Sequence, residues 1–164
     1  MKIVKPPKQW NQKTCEFSVF LAGSIELGKA VNWQSKVEEF LTATKFSNNI
    51  IVLNPRRDNW DDSWKQSITD KNFNEQVTWE LDSQERCDIN AIFFDPKTKA
   101  PISLLELGLF HDKNVVVCCP DGFYRKGNVE ITCRKYGIVL TSDMKTFVKE
   151  IYKKIEILNN FIEK

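Results

Sequence analysis

The chain predicts a doubly wound α/β domain, and three features of its pattern carry that prediction. Short apolar runs recur at residues 15–22, 50–53, 89–94, 114–119 and 138–141. Longer stretches with helical spacing separate them, an alternation that favours a parallel sheet with crossover helices. The runs are apolar almost throughout, as strands covered on both faces require. Five strands with helices on both faces describe a flavodoxin-like or Rossmann-like sheet.

Composition fits one soluble domain. The 164 residues are 41% apolar and 28% charged, enough to bury a core and too apolar for disorder. With 24 basic and 22 acidic side chains the formal net charge is +2, which exerts no global pull on a nucleic acid polymer or a membrane. No apolar run approaches membrane-spanning length and the start, MKIVKPPKQW, lacks a signal-peptide core, so a cytoplasmic location is expected. Five cysteines without a CxxC pair fit reduced, buried thiols, and the single histidine, His111, has no ligand spacing around it; neither metal nor cofactor is expected.

Residues 1–14, polar and proline-bearing, read as a loosely held lead-in to a domain spanning 15–164. The first run, CEFSVFLA, enters Gly23-Ser24-Ile25 and then Gly28, a strand-turn-helix form that lets backbone N–H groups approach an anion or sugar. It matches neither GxGxxG nor the GxxxxGKS/T phosphate loop. Asn32 can cap a helix to about Thr44 with Trp33, Val37, Phe40 and Leu41 on one face. The second run, 50–53, ends in Asn54-Pro55-Arg56-Arg57-Asp58 and a tryptophan-bearing loop. Guanidinium groups and aromatics there can hydrogen-bond or stack on a heterocycle, and Trp60 and Trp64 can equally fold back onto the core. Residues 73–87 have helical composition; Val77 and Leu81 would line the buried side, with Gln76 and Glu80 an i, i+4 pair on an exposed edge.

INAIFFD, 89–95, reads as the third strand, and a loop leads to APISLLELGLF at 100–110. Pro101 suits a first helical turn and Ser103 can help cap it. Glu106 is the one acid in this apolar run, costly to desolvate unless paired, hydrogen-bonded or reactive. A place near a helix N-terminus at the carboxyl edge of the sheet, where open α/β sheets bind ligands, would favour its anionic form. The pattern leaves open a partly exposed acid that solubilises the surface. NVVVCC is the fourth strand, residues 123–135 a polar segment that can include a helix, and 138–141 the fifth strand. Ser142 or Asp143 caps a last helix to about Asn159, with Phe147, Ile151, Ile155 and Leu158 on one face.

Strand–AGSI, strand–NPRR, EQVTWE, and PISLLELG followed by VVVCCP together resemble the nucleoside 2-deoxyribosyltransferases, in the branch with NPRR and WE motifs, over about residues 19–151. The resemblance implies a flavodoxin-like fold. It also implies cleavage of the N-glycosidic bond of 2'-deoxynucleosides, with transfer of the sugar to a free nucleobase through a covalent sugar–enzyme ester. By the same resemblance Glu106 is the nucleophile of the ELG motif and Glu80 the acid at the nucleobase. Gly23 and Ser24 border the sugar, and Asn54 and Arg56 face the base. Asn128 reaches a neighbouring subunit's site at the sugar 5'-hydroxyl, so a homo-oligomer, at least a dimer with shared sites, is expected. Two positions depart from the family: a second acid, six residues before the nucleophile, is Ala100 here, and a first-strand tyrosine is Phe20. The GSI turn also occurs in nucleoside 5'-monophosphate N-glycosidases. Hydrolysis of a nucleoside or nucleotide, and a non-catalytic nucleotide-binding module, therefore stand beside transfer; an electron-carrying flavodoxin fits less well.

Overall fold

The apolar runs become parallel neighbours in one sheet. The computed structural model describes residues 1–25, 30–57, 61 and 63–162. Its elements are β1 (Lys2–Val4), β2 (Phe17–Gly23), α1 (Trp33–Thr42), β3 (Ile50–Leu53), α2 (Lys71–Arg86) and β4 (Ile89–Phe93). They continue through α3 (Pro101–Leu109), β5 (Val115–Cys118), α4 (Lys126–Tyr136), β6 (Val139–Thr141) and α5 (Met144–Ile162). The sheet has six strands in the order β1-β3-β2-β4-β5-β6, every adjacent pair parallel. Strand order reverses around β2, so the crevice beyond the ends of β2 and β4 is the topological switch point where such sheets bind ligands.

Alternate residues of each strand feed two apolar layers. Phe20, Ala22, Leu53, Ile92 and Val117 join Trp79 of α2, Leu107 of α3 and Val129 of α4 on one face. Val19, Leu21, Val52, Ala91 and Val116 join Trp33 and Val37 of α1 and Phe147, Ile151 and Ile155 of α5 on the other. Three helices thus cover one face and two the other. The ends follow local chemistry: Asn32 Oδ1 accepts from Ser35 N at the start of α1, and Asp143 Oδ1 from Thr146 N before α5. Gly137, with φ +66°, closes α4.

Three expectations need correction. The sheet has six strands and not five, because residues 1–14 are not a loose lead-in: β1 pairs with β3 through Lys2↔Ile51 and Val4↔Leu53. Trp10 is buried in the α2 layer, and its indole donates to Ser83 Oγ at 3.0 Å. In α2 the stripe turned inward is Gln76, Trp79, Ser83 and Gln84, whereas Leu81 is exposed. The apolar residues of that helix are too few to make a stripe, so its orientation is set by Trp79 and by hydrogen bonds, not by the Val77–Leu81 pair. Ser103 does not cap α3; the N-cap is Ala100, held in the left-handed region at φ 43°. Gly28, Asp58 and Trp60 lie outside the described residues.

Candidate active site

α2 and α3 lie on the same face of the sheet, and each turns carboxyl chemistry toward the other. Glu106 stands in the second turn of α3 and is 6% exposed. Leu107 beside it packs into the core, while Ile102, Leu105 and Leu109 point outward, so the amphipathic register of the helix drives the acid inward with Ser103 and Leu107. Gln84 Nε2 donates to Glu106 Oε1 at 2.6 Å. Two turns back along α2, Gln76 Nε2 donates to Glu80 Oε1 at 2.6 Å and to the carbonyl oxygen of Pro55 at 3.0 Å. The Gln76–Glu80 pair is therefore no exposed edge: Gln76 is buried and Glu80 partly so.

The electrostatics are those of two acids sharing a poorly solvated pocket. Burial pushes the Glu106 carboxyl up to about 8, with repulsion from Glu80 adding to it and the Gln84 hydrogen bond opposing it. Burial likewise raises Glu80 to about 7 against the Gln76 hydrogen bond. The expectation that a helix start would keep Glu106 anionic is reversed, because desolvation and a like charge outweigh a helix dipole worth about 1 kcal/mol. Burial and mutual repulsion oppose ionising both acids at once, so the pair tends to retain a proton. One acid can then be a nucleophile while the other is a proton donor.

The remaining candidates divide between framework and free donors. Gly23 ends β2 with φ +134°, and a Cβ there would lie 2.3 Å from Phe93 O, so only glycine lets β2 approach β4 at the switch point. Ser24 is buried; its hydroxyl meets Thr98 Oγ1 at 2.7 Å and Asp95 N at 2.9 Å, which ties the turn after β2 to the loop after β4. Asn54 is also a brace: Nδ2 donates to Glu38 Oε1 of α1 at 2.7 Å and Oδ1 accepts from Arg56 N at 2.9 Å. Arg56 differs, since its Nε and Nη2 are buried without a partner. Arg57 lies over the Trp64 ring at 5.0 Å, so that tryptophan folds back on the NPRR loop. Asn128 is exposed in the first turn of α4 and lines a groove of about 310 Å³ with Leu104, Leu107, Gly108 and Arg125, between α4 and the helix that carries Glu106. Two glutamines that sequence reasoning did not select, Gln76 and Gln84, bind the two acids. Their one signal was the i, i+4 spacing of Gln76, Glu80 and Gln84 along one helix face.

Among the described residues no three His, Cys, Asp or Glu side chains group as a metal site, and no helix is long and apolar enough to cross a membrane. Cys118, Cys119 and Cys133 are buried free thiols; Cys15 is exposed.

No curated protein matches the chain. A crystal structure of a conserved protein from Enterococcus faecalis V583 superposes with a TM-score of 0.59 at 14% identity, covering 85% of this chain and 99% of that one, a likeness of fold. Residues 16–123, from β2 through the loop after β5, match the family model described as nucleoside 2-deoxyribosyltransferase like. That span contains both acids, both glutamines and the NPRR loop, and the chain belongs to the nucleoside 2-deoxyribosyltransferase-like family.

Proposed function

We propose that the protein cleaves the N-glycosidic bond of 2'-deoxynucleosides and passes the deoxyribosyl group to a second nucleobase. The observation that carries this reading is the pair of acids Glu106 and Glu80 on facing helices, close enough to repel one another and each held by its own glutamine at 2.6 Å. Cleavage passes through an oxocarbenium-like state, which a carboxylate on one face of the sugar stabilises and then captures, as in retaining glycosidases. Glu106 Oε2, opposite the oxygen bound by Gln84, forms the bond to C1' as the C1'–N bond breaks. The electron pair leaves on the base, and Glu80 supplies the proton that makes the base a competent leaving group. A second base then attacks C1', returns its proton to Glu80 and frees the Glu106 carboxylate. Arg56, whose buried Nε and Nη2 find no acceptor among the described residues, is the side chain on the NPRR loop best able to meet an acceptor on the base.

Transfer in preference to hydrolysis needs a site that keeps water from the ester. The α3–α4 surface supports closure by a second copy of the chain. Ile102, Leu105, Leu109, Tyr124, Ile131 and Tyr136 are each about half exposed or more there, and Asn128 stands among them beside Gly108. A homo-oligomer with shared sites follows from that reading, with nucleotide salvage as its setting. The Ser24 hydroxyl accepts from Asp95 N and Thr98 Oγ1, which holds the turn after β2 against the loop after β4. Incubation with a deoxynucleoside and a different free base tests the proposal: exchanged nucleoside is expected. Free deoxyribose without exchanged nucleoside would reassign the protein as a hydrolase, and neither product would leave it a binding module.

A further inference from the structure

We propose that Gln84 is the positioning residue that holds the Glu106 carboxylate for attack, through the hydrogen bond from the last turn of α2 to the second turn of α3. The proposal rests on the reading of Glu106 as nucleophile. Among the described residues Gln84 is the one side chain that hydrogen-bonds Glu106, at 2.6 Å. Gln84 is wholly buried and Glu106 is 6% exposed, so the bond is made to an ionisable group where water screens it little. It fixes one carboxylate oxygen and leaves the other without a hydrogen-bond partner among the described residues, the arrangement a nucleophile with a single attacking atom needs. Phe20, on the neighbouring strand, is buried against Trp79 with ring centroids 6.0 Å apart and offers no donor, and Ala100 offers no side-chain donor either.

Gln84 is itself held from several sides. Its backbone carbonyl accepts from Asn90 Nδ2 at 3.0 Å, which anchors the end of α2 to β4. The same helix is strapped by the N-terminal segment: Trp79 Nε1 donates to Lys8 O at 2.8 Å, Trp10 Nε1 to Ser83 Oγ at 3.0 Å, and Arg86 Nη2 to Trp10 O at 3.1 Å. With Glu106 ionised the amide of Gln84 has one orientation open to it: its Oε1 is buried with no partner, and reversing the amide would set that oxygen against a carboxylate oxygen. An unmet buried acceptor beside a met donor fits a side chain retained for what its donor holds.

Gln84→Met keeps the length and bulk and removes the donor. Three proteins, wild type, Gln84→Met and Glu106→Gln, are compared by base-exchange kinetics and by ¹³C NMR titration of labelled glutamate carboxyls; the Glu106 signal is the one missing from Glu106→Gln. The hydrogen bond favours the charged form of Glu106, so its loss moves the Glu106 titration, and the acid limb of the rate profile, to higher pH. We expect kcat to fall by about tenfold to a hundredfold with KM little changed. An unmoved Glu106 titration, or a moved one with wild-type kcat, overturns the positioning role. If wild type exchanges no base, the functional reading falls while the titration still decides whether Gln84 holds Glu106. Should Gln84→Met not fold, Gln84→Asn, which withdraws the amide by one methylene, replaces it in both measurements.

Discussion

At the scale of the residue, burial determines what Glu106 can do. Glu106→Gln cannot form an ester, so base exchange should vanish while circular dichroism stays that of the wild type; near-normal turnover would contradict the assignment. The same substitution should stabilise the fold at alkaline pH. A carboxyl whose folded pKa is raised binds protons more tightly when folded. Its stabilising effect is whole below the unfolded value of 4.5 and is lost as pH rises through about 8. The melting temperature of Glu106→Gln relative to wild type should therefore climb between those limits, by the equivalent of a few kcal/mol. A difference that does not vary with pH would show that Glu106 is not desolvated. Glu80→Gln should lower kcat and kcat/KM together by about a hundredfold or more, as loss of a transition-state proton donor does. A rise in KM alone would make Glu80 a ground-state contact. Glu106 was legible because one acid in PISLLELG stands out against an apolar run. Gln84 was not, because a neutral polar residue on a mostly polar helix gives no sign of which way it faces.

At the scale of the element, the strands were readable and α2 was not, for one physical reason. Strands covered on both faces need nearly continuous apolar runs, and β2 to β5 supply them with only Ser18 and Asn90 interrupting; residues 50–53 were bounded in sequence just as β3 is in the fold. α2 instead buries a stripe in which Trp79 is the only large apolar residue among Gln76, Ser83 and Gln84, a pattern that sets hydrophobic periodicity against function. β1 escaped notice because three residues before Pro6-Pro7 carry too little pattern, and the tethering of Trp10 depends on partners more than seventy positions away. The N-terminal segment lies outside the family match at 16–123, yet it braces the helix that carries Glu80 and Gln84. Trp10→Ala should cost about 3–5 kcal/mol in urea unfolding, the usual loss for a buried tryptophan. It should also depress exchange activity under conditions where the protein remains fully folded. Wild-type activity in the folded variant would make the strap a stability device alone.

At the scale of the whole molecule, the doubly wound sheet was legible from alternation, since five of its six strands announce themselves and the parallel order follows from crossover helices. Assembly was expected only from the resemblance at Asn128, because the α3–α4 segment looks on paper like any amphipathic surface. In the fold, isoleucine, leucine and tyrosine side chains of α3 and α4 stay exposed, and Asn128 lines the groove between those helices. Light scattering should return at least twice the 19.1 kDa of one chain, and charged substitutions at Leu105 and Ile131 should halve that mass and shift product from exchanged nucleoside toward free sugar. A monomeric mass with full exchange would end the shared-site idea. The central claim is the covalent step at Glu106, and it is tested most directly by acid quenching during turnover, proteolysis and mass spectrometry. The account predicts a peptide spanning residues 100–110 heavier by one deoxyribosyl group, with the label on Glu106 and absent from Glu106→Gln. Base exchange without that adduct, or the sugar on a different residue, would contradict it.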